Sequence, residues 1–457
     1  MRRMESRQLN APRPLREEAR RVAALAIPVA LSQLAIMSMG FVDLVMVGRV
    51  SVGAFAAVAL ANPWQYGTLL FANGFLMALD PIVSQAHGRR DGPRAALALQ
   101  QGLVLALALS PLVILAWTQT EEVLLLLGQD PVLAHDAERF LLVQIPSVPF
   151  FLTYGALRQY LVAREIVRPV LWVVLAANVV NALANWALVF GHWGAPALGL
   201  VGSGLATSLT RIATFAVGVG LVLAFRLHEG AWAPWSRRSF APAGLRTLLA
   251  IGLPIALQIS LEMWAFGGSS WIAGRLGGEA VAAHGMVMNL ASITFMVPLG
   301  IAQGTAVRVG NLIGAGELAQ SQRAAWLGIA MGAGFMTLSA VGFVLGREIL
   351  PRLYTPEAAV IAAAATILPI AGAFQIFDGT QSVASGVLRA MGRPGPAALF
   401  NLVGYWVLAL PLGGWLALKT DAGLAGLWWG LCAGLVVVAT GLVLWIWRGG
   451  TALVRRV

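Results

Sequence analysis

The sequence predicts an all-α polytopic membrane protein, with twelve transmembrane helices in two pseudo-symmetric six-helix bundles around a central cavity. Three observations predict it. Of the 457 residues, 58% are hydrophobic and 11% are charged, with a mean hydropathy of +0.78. Soluble proteins carry about 25% charged residues, so most of this surface must be solvated by lipid. Second, apolar blocks of the length that crosses a hydrocarbon core, about twenty residues, recur twelve times along the chain. Third, the chain repeats itself. Under a shift of 226 residues, AIPVAL at 26–31 lies over GLPIAL at 252–257, Gly48-Arg49 over Gly274-Arg275, Gly74 over Gly300 and Gly88 over Gly314. At slightly smaller shifts, Arg168-Pro169 matches Arg393-Pro394 and GLVG at 199–202 matches GLAG at 423–426.

In chain order, a cytoplasmic N-terminal segment (1–21) is polar and lacks the small-residue cleavage site of a removed signal. The first lobe (22–226) holds spans near 22–47, 53–80, 95–117, 137–160, 169–190 and 197–225. A linker (227–244) follows, read as a polar connection between the halves. The second lobe (245–447) holds spans near 245–273, 280–305, 323–346, 358–385, 396–418 and 423–447, and a short cytoplasmic tail (448–457) ends the chain. Six spans is an even number, so both lobes enter the membrane from the same side. They are therefore parallel repeats, with a cavity expected between them.

The charges give orientation. A net charge of +11 would suggest nucleic acid in a soluble protein, but here the arginines flank apolar blocks. Arg2, Arg3, Arg7 and Arg13 begin a set of 23 basic residues on the side of the N-terminus, which includes Arg308 and Arg389; six lie on the other side. By the positive-inside rule both termini are expected to be cytoplasmic, with the chain in an inner (plasma) membrane. The lipid bilayer is then its surrounding, no nucleic-acid partner is expected, and a monomer without an obligate protein partner is the expectation. The single cysteine, Cys432, lies in the last apolar block and is read as a packing residue. The five histidines show no ligand spacing, and no nucleophile–base motif, P-loop or GxGxxG fingerprint appears. Enzymatic chemistry and a bound cofactor are not expected.

Four acids fall within the spans: Asp43, Asp80, Glu262 and Asp378. Ionisable groups inside a bilayer are expensive and mark ion or substrate paths. A carboxyl so placed can take up a proton, hold Na⁺ or face a cationic substrate; the alternative is a structural carboxylate bonded to neighbouring helices. Asp80 lies nearer the cytoplasmic end than the others. In NVVNALANW, Asn178, Asn181 and Asn185 are spaced three and four apart and share a helical face. Their amides can bind an ion, bond a carboxylate such as Asp43, or join helices. Pro28 and Pro254 occupy matching positions in spans 1 and 7, where each removes a backbone bond and allows the helix to bend. Arg158 and Arg211 are the main arginines expected inside the membrane.

These segments resemble the multidrug and toxic compound extrusion (MATE) family, in its bacterial NorM-like branch. The likeness is carried by MGFVDLVMVGRVS in span 1, LMALDPIVSQAHG at the end of span 2 and NALANWALVFGHWGAPALGLVGSGLAT in spans 5 and 6. LEMWAF, VAAHGMVMNLASITFMVPLGIAQGTAVRVGNLIG and FQIFDGTQSVASGVLRAMGRP carry it in spans 7, 8 and 10. The resemblance implies secondary active antiport of cationic, amphipathic compounds against Na⁺ or H⁺ by alternating access. It carries coupling acids onto Asp43, Glu262 and Asp378 and amide partners onto Asn181 and Asn185. Two positions depart from the family pattern. Phe374 stands where relatives often have a tyrosine, which removes a hydroxyl from a Na⁺ site in the second half, and Asp80 more nearly resembles an acidic position of the eukaryotic branch. A major-facilitator carrier would place G-x-x-x-D-R-x-G-R-R after span 2, whereas the loop here reads SQAHGRRDGPR. A lipid-linked oligosaccharide flippase of the same superfamily is the remaining alternative, although such proteins line their cavities with arginines.

Overall fold

A computed structural model describes residues 14–457, so Arg2, Arg3, Arg7 and Arg13 lie outside the described residues. Among the described residues, twelve helices are long and apolar enough to cross a membrane. They are α1 (Leu15–Gly48), α2 (Val52–Gly88), α3 (Gly92–Trp117), α4 (Pro131–Ala163), α5 (Arg168–Phe190) and α6 (Gly199–Ala224). The second half contains α7 (Pro242–Gly274), α8 (Gly278–Gly314), α9 (Leu318–Leu345), α10 (Ala358–Ala390), α11 (Gly395–Lys419) and α12 (Gly423–Gly449). Matching helices have matching lengths: α2 and α8 span 37 residues each, α4 and α10 span 33 each. The repeat is thus structural as well as sequential.

Local chemistry sets the ends. Ser51 caps α2 by accepting from the backbone N–H of Ala54, and Asp91 caps α3 by accepting from Arg94. Asp130 accepts from Val132 and Leu133 at the start of α4. Each satisfies backbone donors that the first helical turn leaves open. Three helices change pitch along their length, α2 at a turn at 77–78. α4 passes through a 3₁₀ turn at Ile145–Ser147, and α11 widens into a π-helical stretch at Leu402–Ala409.

The helices α2, α8 and α10 run further toward the arginine-rich end than their apolar blocks suggested. Arg308 and Arg389 therefore lie in the last turns of these long helices, 7% and 5% exposed, buried by protein and not in loops. Arg308 is tolerated there because Glu18 of α1, itself 1% exposed, binds its guanidinium through two oxygens.

The two lobes interpenetrate at that same end. Ala26 of α1 belongs to the core of the second lobe, while Ile251, Ile255 and Ala256 of α7 belong to the core of the first. Glycines permit these crossings. A Cβ on Gly74 of α2 would lie 2.5 Å from Ala256 Cα, and one on its repeat partner Gly300 would lie 2.6 Å from Ala30 N. Pro28 lies between Ala26 and Ala30, and Pro254 between Gly252 and Ala256. Both bend-permitting residues thus sit at the two cross-lobe contacts, within continuous helices. Further bonds join the lobes nearby. Asn311 donates to Glu165 at 2.7 Å, and Gln85 donates to Ala390 O at 3.0 Å and to Arg455 O at 3.2 Å. Among the described residues, every side-chain hydrogen bond identified between the lobes involves the arginine-rich half of the molecule.

Candidate coupling and binding site

In the first lobe, Asp43 stands on α1 about a turn and a half from its C-terminal end, facing α5. Asn181 and Asn185, four apart on α5, both donate to Asp43 Oδ1, at 2.9 and 2.7 Å. The two amides are 1% and 0% exposed, and their Oδ1 atoms have no partner. The carboxylate and the two unpartnered amide oxygens leave acceptor capacity open around Asp43. Thr207 and Arg211, one turn apart on α6, also act on Asp43, Arg211 through its charge. The Arg211 guanidinium lies over Phe151 at 5.2 Å and over Trp117 at 5.7 Å, and donates to Ser147 Oγ at 3.4 Å. Asn178 does not join this cluster. Its amide donates to Val174 O of its own helix, at 3.0 Å. A three-residue step places it ~60° round the helix from Asn181.

In the second lobe, Glu262 of α7 and Asp378 of α10 come together. Gln381, one turn after Asp378, donates to Glu262 Oε1 at 3.1 Å and to Asp378 Oδ1 at 3.3 Å. Asn401 of α11 donates to the second oxygen of Glu262, at 3.3 Å. Asp378 is 6% exposed, and Gln381 and Asn401 are 1% and 0%. Two acids sharing one amide lack enough donors for four carboxylate oxygens, so the pair has acceptor capacity for a cation or a proton. Phe374, one turn before Asp378, packs edge-on against Phe266 and Trp428, with ring centroids at 6.1 and 5.7 Å. Tyr405 completes this aromatic wall at 5.6 Å from Phe266; its buried hydroxyl has no partner and lies near both acids. The hydroxyl absent at Phe374 is therefore available from a different helix, within the π-helical stretch of α11. Such stretches often mark functional positions.

Asp80 belongs to neither cluster. α2 continues to Gly88, so Asp80 lies two turns inside the helix, 6% exposed, between the lobes. Arg158 of α4 and Arg389 of α10 are the charges that act on it. Arg158 also reaches Gln33 at 3.3 Å and, across the lobe boundary, Gln303 at 3.4 Å.

Gln381, Asn401 and Tyr405 were not singled out from sequence. For Gln381 the signal was its i+3 spacing from Asp378; for Asn401 and Tyr405 it was their i,i+4 spacing on α11, which echoes Asn181 and Asn185 on α5.

Comparison with known proteins follows the same outline. The family model described as MatE matches residues 28–187 and 254–415, one copy in each half. The chain is 36% identical over 440 residues to a probable multidrug resistance protein NorM of Mesorhizobium japonicum, covering 93% of this chain and 92% of that protein. It is 33% identical over 453 residues to the multidrug resistance protein MdtK of Yersinia pseudotuberculosis, covering 96% and 97%. In fold it is similar to the crystal structure of a eukaryotic MATE transporter, with a TM-score of 0.88 at 22% identity over 96% of this chain and 99% of that one. An outward-facing multidrug resistance transporter of the same family superposes with a TM-score of 0.87 at 17% identity, covering 96% and 97%.

Proposed function

The chain belongs to the MatE family, and on that premise we propose that it is a secondary active multidrug exporter, exchanging organic, mostly cationic and amphipathic compounds for Na⁺ or H⁺. It is a multi-pass membrane transporter and not an enzyme. In this reading it sits as a monomer in the bacterial inner membrane with both termini cytoplasmic. The observation that carries the proposal is a pair of interior carboxylate clusters, Asp43 with its two amides and Glu262 with Asp378. They lie one in each lobe, between lobes joined at the arginine-rich end.

An ionised acid pair holds an organic cation by charge. When Na⁺ or H⁺ enters from the opposite side and occupies or neutralises a cluster, that attraction is lost and the compound leaves. Rocking of the two lobes, which parts the crossings at Gly74 and Gly300, then alternates access. The membrane potential supplies about 2.3 kcal/mol per elementary charge per 100 mV, so exchange of one charge suffices for substantial accumulation. The test is ethidium efflux from vesicles containing the purified chain, under an imposed ΔpH and then under an imposed Na⁺ gradient. One gradient accelerates efflux and Asp378→Asn abolishes the acceleration. Efflux indifferent to both gradients, or undiminished in Asp378→Asn, refutes the scheme.

A further inference from the structure

Residues 227–244 read from sequence as a polar tether, yet they are built into the first lobe. Gln100 donates to Ala233 O at 2.7 Å, Tyr160 to Ala231 O at 2.6 Å, Arg164 to Leu227 O at 2.6 Å and Gln101 to Arg238 O at 3.0 Å. Ser239 donates to Gln100 Oε1 at 2.7 Å. Gln100, Gln101, Tyr160 and Ser239 are all buried. A tether needs no such fixing, and burying this many polar groups is costly unless each is bonded.

What the segment builds is a wall. Trp232 and Trp235 close the arginine-rich end of a groove of about 660 Å³ between α3, α4 and α6. Its lining is nearly all apolar, with Leu107, Phe150 and Phe215 at the far end. From Leu99 to Leu107 the groove follows α3 for two turns, ~12 Å at 1.5 Å per residue. It therefore runs from the interface toward the middle of the bilayer. Leu107 and Leu223 are 55% and 63% exposed, so its side is open, and no residue of the second lobe lines it. Within three residues of the lining residues Leu223, His228 and Trp235, Arg226, Arg237 and Arg238 are exposed; Glu229, 3.4 Å from Arg226, offsets one of the three. Indole rings at an interface beside clustered arginines are the chemistry that receives anionic headgroups.

We propose that this groove binds an anionic phospholipid, one acyl chain lying along α3 beneath Trp232 and Trp235 and its phosphate beside Arg226, Arg237 and Arg238. The site is separate from the carboxylate clusters, and none of their residues line it.

The test uses the whole chain in detergent, titrated with acyl-brominated phosphatidylglycerol or with the matching phosphatidylcholine. The reading is the part of tryptophan quenching that Trp232→Phe/Trp235→Phe removes. That part is half-quenched at a several-fold lower mole fraction of the anionic lipid, and Arg226→Gln/Arg237→Gln/Arg238→Gln makes the two lipids equal. Leu103→Phe/Leu223→Phe, which fills the groove and leaves the arginines in place, weakens quenching by both. Equal quenching by the two lipids in the native chain overturns the proposal. So does a preference that survives removal of the arginines, or a groove from which ethidium but neither lipid can be detected.

Discussion

The crossing of α2 and α7 yields the sharpest prediction about motion. In Gly74→Ala the new methyl would lie 2.5 Å from Ala256 Cα and 2.9 Å from its N. Carbon atoms settle at about 3.5–4.0 Å, so the helices must part by about 1 Å or more. The obstacle is backbone, which cannot rotate aside as a side chain can. Overpacking of this kind costs about 1–3 kcal/mol, and the cost falls only on the state in which the arginine-rich ends are joined. The joined-to-parted ratio should then drop about 5- to 150-fold. Arg168 and Arg393, repeat partners that are both exposed, are suitable for spin labels in a Cys432→Ala background. Double electron–electron resonance should show a longer-distance population growing in Gly74→Ala, and again in Gly300→Ala, where the clash is with Ala30. An unchanged distance distribution accompanied by a lower melting temperature would make the crossing a rigid scaffold and refute the parting of the lobes there.

Two further substitutions separate roles within the site and the scaffold. Glu18→Ala leaves Arg308 buried without its carboxylate and should cost about 3–5 kcal/mol, seen as a large fall in melting temperature that Glu18→Leu/Arg308→Met mostly restores; an unaltered melting curve rules out the pair as a structural requirement. Asn185→Leu removes the 2.7 Å donor to Asp43. A hydrogen bond to a charged group is worth about 1.5–3 kcal/mol, so the coupling-ion concentration for half-maximal efflux should shift about tenfold or more. Asn178→Leu, whose amide serves its own helix, should leave it unchanged, and equal effects of the two refute the assignment.

The span pattern was legible because a bilayer imposes one length on every apolar block, and lipid contact leaves that length in the composition. The arginine-rich ends of α2, α8 and α10 were not legible. There the chain carries Gln85, Arg308 and Arg389, which read as loop until partners from other helices are known. The same limit governs the clusters. Asn181 and Asn185 could be placed on one face because helical spacing is local, and that rule reached one residue too far in including Asn178. Asn401 meets Glu262 across 139 positions of sequence. A neutral amide in an apolar helix gives no sign of which carboxylate it will meet.

The two lobes share a scaffold but not a charge balance, and this bears on which cluster holds the cargo. Beside Asp43 stands Arg211, held by Trp117, Phe151 and Ser147, so the first-lobe acid already faces a tethered cation. Glu262 and Asp378 are two acids with one shared amide, and the arginine that acts on Glu262, Arg389, is also engaged by Asp80. A positively charged guest therefore gains more from the second-lobe pair, whose aromatic wall of Phe266, Phe374 and Tyr405 offers apolar surface as well. The first-lobe acid, already balanced by Arg211, offers less to any added cation, Na⁺ included. Sequence repetition built two similar frames, and a single arginine on α6 leaves them with unequal charge.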